Sequence, residues 1–189
     1  MPLTITTKEI QLINEDTLEI ITIPSETIVL EHSLAAMSKW ERLWHDQFLK
    51  DREHVGDPLT REQMISYLEC MTLNGPFDVR IYLGFDQATM NKIRAYMEDP
   101  MTGTKFVEEV GRGQAAGTVM SAEEIYYAMF KWNVPMECEN WHINRLMALL
   151  RVYGEKENPK KQTQQQHMQE MYAKNAYRKA KNSAKMPHK

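Results

Sequence analysis

The chain has 189 residues, of which 42% are hydrophobic and 26% charged, a composition typical of a globular protein with room for one domain and an appendage. Its longest uninterrupted apolar run, residues 146–150, is far shorter than the roughly 20 residues of a membrane span. Two cysteines are too few for a disulfide framework. The first ten residues lack the basic start and apolar stretch of a secretory signal, and the low cysteine content suits a reducing cytosol.

The net charge of −3 conceals an uneven distribution of charge along the chain. Residues 155–189 carry nine Lys or Arg and three Asp or Glu, whereas residues 1–154 carry fourteen basic and twenty-three acidic side chains. The sequence therefore predicts a compact acidic domain over 1–154 and a basic projecting arm over 155–189. Such an arm suits nucleic acid, an acidic protein surface or simple solvation.

Strands are predicted over about 1–31, where β-branched residues are frequent and apolar residues alternate with polar ones. The turn-forming stretch 14–16, Asn-Glu-Asp, separates two apolar segments and predicts a hairpin. Pro24 and Ser25 mark a second turn. The pattern indicates a small antiparallel β-sheet.

From residue 33 to about 154 the apolar spacing changes to three and four residues, which predicts a helical core. Four helices are predicted to begin at N-capping side chains, namely Ser33, Thr60, Asp86 and Ser121. On the first helix the predicted apolar face is Met37, Trp40, Leu43, Trp44 and Phe48, and the predicted solvent face is Lys39, Glu41, Arg42 and Asp46. A fifth helix is predicted from near Glu137 to Tyr153, ending at Gly154.

An inserted β-hairpin is predicted over about 104–120, with the stretch "GRGQAAG" at its tip. This stretch lacks the Gly-Lys-Ser/Thr ending of a phosphate-binding P-loop. It also lacks the helix that directly follows a dinucleotide-binding loop. The predicted fold class is thus α+β, with a small N-terminal antiparallel sheet, four to five packed helices, the hairpin and the basic arm.

The stretch "ECENWH" places Cys138 and His142 four residues apart, on one edge of the predicted fifth helix. A zinc ion needs three or four ligands, and the other candidates have no matching spacing: Cys70, His32, His45 and His54. A catalytic thiol would also need an orienting carboxylate. The sequence therefore favours a buried free thiol and a hydrogen-bonded histidine, and it predicts no metal, no cofactor and no catalytic residue.

The basic arm supplies the predicted partner-binding residues, in which cationic side chains alternate with tyrosines. Phosphate groups and stacked bases suit such a segment, and so does an acidic protein. Because the predicted domain is itself acidic and would repel nucleic acid, a protein partner is favoured. The residues concerned are Lys160, Lys161, Tyr172, Lys174, Tyr177, Arg178, Lys179, Lys181 and Lys185.

Three blocks occur in an order that resembles a family of small proteins encoded by tailed bacteriophages: "ETIVLEHSLAAMSKWERLW", "MEDPMTGTKF" and "SAEEIYYAMFKWNVPMECENWHINRLMALLRVY". The resemblance covers most of residues 26 to 185, and the third block is its most specific part. Members tend to be labelled tail assembly chaperones or virion structural proteins.

The resemblance implies a non-enzymatic tail morphogenesis protein, acting in the host cytoplasm during assembly. As a chaperone it would hold the apolar helices of a tape-measure protein until tail subunits polymerise around them. The alternative is a structural virion component, such as a head–tail connector, tail or baseplate protein, whose arm locks neighbouring subunits. Either implies tail or tape-measure proteins as partners and a homo-oligomer or larger assembly. The 14 methionines suit adaptable apolar binding.

Overall fold

The computed structural model describes residues 1–13, 18–50, 57–106, 120–157, 171–172 and 175. Within these residues the predicted α+β class is confirmed. The strands are β1 (Leu3–Thr6), β2 (Ile10–Ile13), β3 (Ile20–Ile23) and β4 (Thr27–Leu30). The helices of ten or more residues are α1 (Leu34–Trp44), α2 (Arg61–Met71), α3 (Gln87–Glu98), α4 (Ala122–Lys131) and α5 (Ile143–Glu157). Two 3₁₀ helices, Val79–Gly84 and Met136–Asn140, precede α3 and α5.

The four strands form two antiparallel pairs in place of the single predicted sheet. β1 pairs with β4, so that Leu3 lies opposite Leu30, and β2 pairs with β3, so that Ile13 lies opposite Ile20. The predicted hairpin is therefore confirmed as the β2–β3 pair. It is inserted between the two strands of the other sheet.

The second edge of β4 is covered by the chain that follows α2. The N–H of Leu73 donates to the carbonyl of Val29 at 2.8 Å. The side chain of Asn74 supplies two more hydrogen bonds at this edge. Its amide oxygen accepts from the N–H of Val29 at 2.9 Å, and its amide nitrogen donates to the carbonyl of Thr27 at 2.8 Å. Backbone groups of β4 are thus satisfied on both edges.

Four helices begin at the capping side chains that the sequence predicts: Ser33, Thr60, Asp86 and Ser121. Each side-chain oxygen accepts a hydrogen bond from a backbone N–H in the first turn of its helix. Thr60 and Ser121 also form the predicted capping boxes with Gln63 and Glu124. Such caps contribute about 1 kcal/mol each to helix stability.

The core lies between α1 and α2, with α4 packed against α1 and α3 packed against β1. Trp40 and Tyr67 are its largest fully buried side chains, and the indole N–H of Trp40 donates to the carbonyl of Gln63 at 2.9 Å. Trp44 and Phe48 are half-buried against this core. The predicted apolar face of α1 is wrong at Leu43, which is exposed because it lies about 100° around the helix from Trp44.

The predicted last helix differs from the structure at both ends. Residues 136–140 form a 3₁₀ helix, and His142 makes a β-bridge with Ser33 before α5 begins. The reason is a long-range bond, since the N–H of Ile143 donates to the carbonyl of His32 at 2.7 Å instead of continuing a helix. Gly154 does not end α5, because a glycine inside a helix costs only about 1 kcal/mol relative to alanine.

The chain divides into two compact units, each held together by its own internal contacts: Met1–Arg151 and Val152–Lys189. The predicted hairpin over about 104–120 lies largely outside the described residues, and so does most of the predicted arm over 155–189. Both stay predictions. None of the helices in the described ranges combines the length and the hydropathy that crossing a bilayer requires.

Candidate functional site

The predicted partner-binding arm is described at one of its nine residues. Tyr172 is helical and exposed, as is its neighbour Met171. The other eight residues lie outside the described ranges: Lys160, Lys161, Lys174, Tyr177, Arg178, Lys179, Lys181 and Lys185. The partner-binding role of the arm therefore stays a prediction.

Cys138 and His142 do not share a helix edge as predicted, because the 3₁₀ helix ends between them. The Cys138 thiol is buried, and its pKa is raised by that burial and by the nearby Glu137 carboxylate. The Nε2–H of His142 donates to the carbonyl of Tyr96 at 3.0 Å, and its Nδ1 accepts from the N–H of Asn144 at 3.3 Å. These two bonds define a neutral imidazole, and burial lowers its pKa. The predicted buried thiol and hydrogen-bonded histidine are confirmed.

His142 belongs to a buried polar cluster that the sequence did not predict. The Nδ1 of His32 lies 2.5 Å from the hydroxyl of Tyr67, and the His32 and His142 rings are 5.2 Å apart. The hydroxyl of Tyr96 donates to a carboxylate oxygen of Glu31 at 2.5 Å. Burial, and then the neighbouring His142, lower the pKa of His32 to about 3. These side chains join α2, α3 and the start of α5 to the end of β4, so we assign the cluster to the fold.

Among the described residues, no three His, Cys, Asp or Glu side chains are arranged to hold a metal ion. The loop "GRGQAAG" and His54 lie outside those residues.

Glu41 is buried, although its position on α1 predicts a solvent-facing side chain. One carboxylate oxygen accepts from the N–H of Phe48 at 2.9 Å, and the other accepts from the N–H of Ala122 at 2.8 Å. Ala122 is the first residue of α4, and the N–H groups in the first turn of a helix have no partner inside it. Glu41 therefore fixes the start of α4 against α1.

An open cleft of about 500 Å³ lies beside Glu41, between the end of α1 and the start of α4. Its charged lining consists of the carboxylates of Glu41, Asp46 and Glu123 together with Arg42. The exposed His45, in the left-handed conformation that ends α1, completes the lining on that side. Carboxylates outnumber cations in this lining, so the cleft is acidic, and it is open to solvent.

The outer face of α4 carries two exposed aromatic side chains, Tyr127 at 70% and Phe130 at 64% exposure. Residues three apart are neighbours on a helix surface, so we call this pair the aromatic face. The opposite side of α4 is fully buried through Ile125 and Met129. The sequence signal was the Tyr-Tyr pair at 126–127, since adjacent helical residues point about 100° apart and only one of them is able to face the core.

A second apolar patch lies on the β2–β3 pair. Ile13 and Ile20 face each other across the strands at 66% exposure each, and nearby Leu18 is 79% exposed. We call these three residues the hairpin patch.

No protein-family model, curated protein or solved structure matches this chain.

Proposed function

We propose that this protein is a non-enzymatic assembly protein that binds apolar segments of other proteins, and that its specific role is that of a phage tail assembly chaperone for a tape-measure protein. The observation that carries this proposal is the aromatic face, Tyr127 and Phe130. Aromatic residues are enriched in protein-binding surfaces relative to the rest of a protein's surface.

The size of the aromatic face supports reversible binding. Burying one large apolar side chain contributes about 1.5–3 kcal/mol, and part of this gain is lost to the entropy of association. Two such side chains therefore support weak, transient association. A chaperone that releases its client when tail subunits polymerise needs this range of affinity.

Methionines contribute less to this surface than the sequence suggests. Met37, Met71 and Met129 are fully buried, whereas Met136 is exposed just after α4. The main apolar contacts that we propose are therefore the rings of Tyr127 and Phe130, and not the methionines from which the sequence predicts adaptable binding.

The alternative role, a structural virion component, is supported by the hairpin patch. A subunit placed between two neighbours needs two separate contact surfaces, and the hairpin patch is a second one. Exposed strand edges near apolar side chains are also suited to pairing with another chain.

The test is to co-express the full chain with the tape-measure protein of the same genome and to measure co-purification. We expect Phe130→Ser and Tyr127→Ser to abolish co-purification, and we expect Leu73→Ser, a change at another exposed apolar residue, to preserve it. Retention of the tape-measure protein by both aromatic variants would overturn the proposal.

Mass spectrometry of purified phage particles beside infected-cell lysate separates the two roles. A chaperone is present in the lysate and absent from particles. A fixed copy number in particles would support the structural role instead.

A further inference from the structure

The acidic cleft and the aromatic face are continuous through Glu123. This residue lines the cleft, and it precedes Tyr127 by one helical turn on the same side of α4. Phe130 lies three residues further along. The stripe from Glu123 to Phe130 covers seven steps of the helix, or about 10 Å at 1.5 Å per residue.

Of the three carboxylates that line the cleft, Glu123 is the one that is exposed and not already engaged by another group among the described residues. Asp46 is ion-paired with Lys50 at 2.9 Å, and both oxygens of Glu41 are occupied by backbone N–H groups. Glu123 is exposed and takes part in no ion pair with the described residues. The remaining positive side chain of the lining is Arg42. Asp46 and Lys50 cancel, and Glu41 and Glu123 outweigh Arg42 by one charge, so the cleft keeps a formal charge of −1 and favours an incoming cation over an incoming anion.

We infer that this stripe binds an amphipathic helix of a partner protein that carries a Lys or Arg one turn away from its apolar residues. The basic head group lies against Glu123, and the apolar side chains pack on Tyr127 and Phe130. The inference rests on the proposed function and adds the chemical class of the bound segment.

Charge complementarity selects this partner over others. The phosphates of nucleic acid are repelled by the carboxylates of the cleft, and so is an acidic helix. The aromatic rings add to the preference for a basic segment, because a Lys or Arg head group is attracted to the face of an aromatic ring. Lysine and arginine stems also cover apolar surface while their charges remain in water.

The experiment uses two labelled helical peptides of about 18 residues, long enough for appreciable helix. Both peptides carry leucines at the same i, i+3, i+4 and i+7 positions. They differ only in the residues that flank the leucines, which are lysines in the Lys peptide and glutamates in the Glu peptide. Fluorescence anisotropy with the full chain measures each dissociation constant. We expect the Lys peptide to bind about fivefold more tightly at low ionic strength, and we expect this preference to shrink in high salt.

Variants test whether residues of the stripe cause the preference for the Lys peptide. Glu123→Lys should reverse the preference toward the Glu peptide, and the milder Glu123→Gln should remove it. Glu98→Lys, at an exposed position outside the stripe, makes the same change in net charge and should leave the preference intact. Phe130→Ser should weaken both peptides.

The outcomes separate this inference from the proposed function. Equal binding of both peptides that is lost in Phe130→Ser would overturn the inference and leave the proposed function standing. Binding of neither peptide would overturn both. If the unliganded chain self-associates and Glu123→Lys dissociates it, the stripe is occupied by a second copy, and the inferred partner is wrong.

Discussion

The carboxylate of Glu41 accepts the backbone N–H of Ala122 at 2.8 Å across 81 residues of sequence. Its other oxygen holds the N–H of Phe48 at 2.9 Å. A buried carboxylate thus serves two backbone donors, one in the chain that follows α1 and one at the start of α4. This side chain positions the helix that presents the aromatic face.

We expect Glu41→Gln to lower the free energy of unfolding by about 2 kcal/mol, because hydrogen bonds to charged groups contribute about 1.5–3 kcal/mol and the new amide nitrogen would face a backbone donor. Urea denaturation measures the change. Glu98→Gln, at an exposed residue, is the matched control and should be nearly neutral. A loss below about 0.5 kcal/mol in Glu41→Gln, the size of an ordinary surface substitution, would contradict the role of Glu41.

The buried histidines predict a loss of stability in mild acid. Burial lowers the pKa of His32 to about 3, below its value of 6.5 in the unfolded chain, and it lowers the pKa of His142 as well. Below pH 6.5 the unfolded chain therefore binds protons that the folded protein does not, and stability falls as the pH decreases. For His32 alone the loss between pH 7 and pH 5 is about 2 kcal/mol.

Urea denaturation at several pH values between 5 and 7 measures this slope. His32→Phe keeps an aromatic ring and should flatten the slope, whatever its effect on stability at pH 7. His45→Asn is the matched control, since it removes an exposed histidine from a left-handed position that asparagine tolerates. A slope unchanged by His32→Phe would show that other groups cause it.

Asn144 links α3 to the start of α5, because its side-chain amide donates to the carbonyls of Met97 at 2.9 Å and Asp99 at 2.7 Å. These carbonyls lie at the end of α3, where the helix has no donors of its own. We expect Asn144→Ala to cost about 1–3 kcal/mol, since it leaves these carbonyls without their donor.

Hydrogen exchange gives the local readout for Asn144→Ala, in which amides of the last turn of α3 should exchange faster while those of α2 do not change. Asn140→Ala, at an exposed asparagine of the 3₁₀ helix, is the control and should alter neither. Uniform acceleration across the whole domain would indicate a global effect instead.

Local signals predicted most of the secondary structure. The caps at Ser33, Thr60, Asp86 and Ser121 depend on contacts within one helical turn, so the sequence contains the complete signal. The β2–β3 hairpin is likewise a contact between neighbouring segments.

Long-range contacts account for what the sequence did not predict. The bond between Ile143 and His32 breaks the predicted last helix, and the bond between Glu41 and Ala122 buries a residue expected in solvent. Neither partner is visible from local spacing. The aromatic face was missed because apolar spacing indicates which residues of α4 share the core-facing side and gives no reason for Tyr127 and Phe130 to lie on the other side.

Gly84, at the end of the first 3₁₀ helix, packs directly against Ile10 of β2. A Cβ atom at this position would overlap the Cδ1 of Ile10 and lie 2.7 Å from its Cγ1. We expect Gly84→Ala to lower the free energy of unfolding by about 1 kcal/mol, the lower end of the range for overpacking, because Gly84 is exposed and the half-buried side chain of Ile10 is able to shift. Thermal or urea denaturation measures this loss.

Two further variants test the cause of the Gly84 effect. Gly103→Ala is the matched control, because a Cβ atom there meets nothing within 4 Å, and it should be neutral. The clash is removed in the double variant Gly84→Ala with Ile10→Ala, so its loss of stability should be smaller than the sum of the two single losses by about 0.5 kcal/mol or more. Full additivity would place the cost of Gly84→Ala in the backbone conformation, and the close approach of Gly84 to Ile10 would then have no energetic consequence.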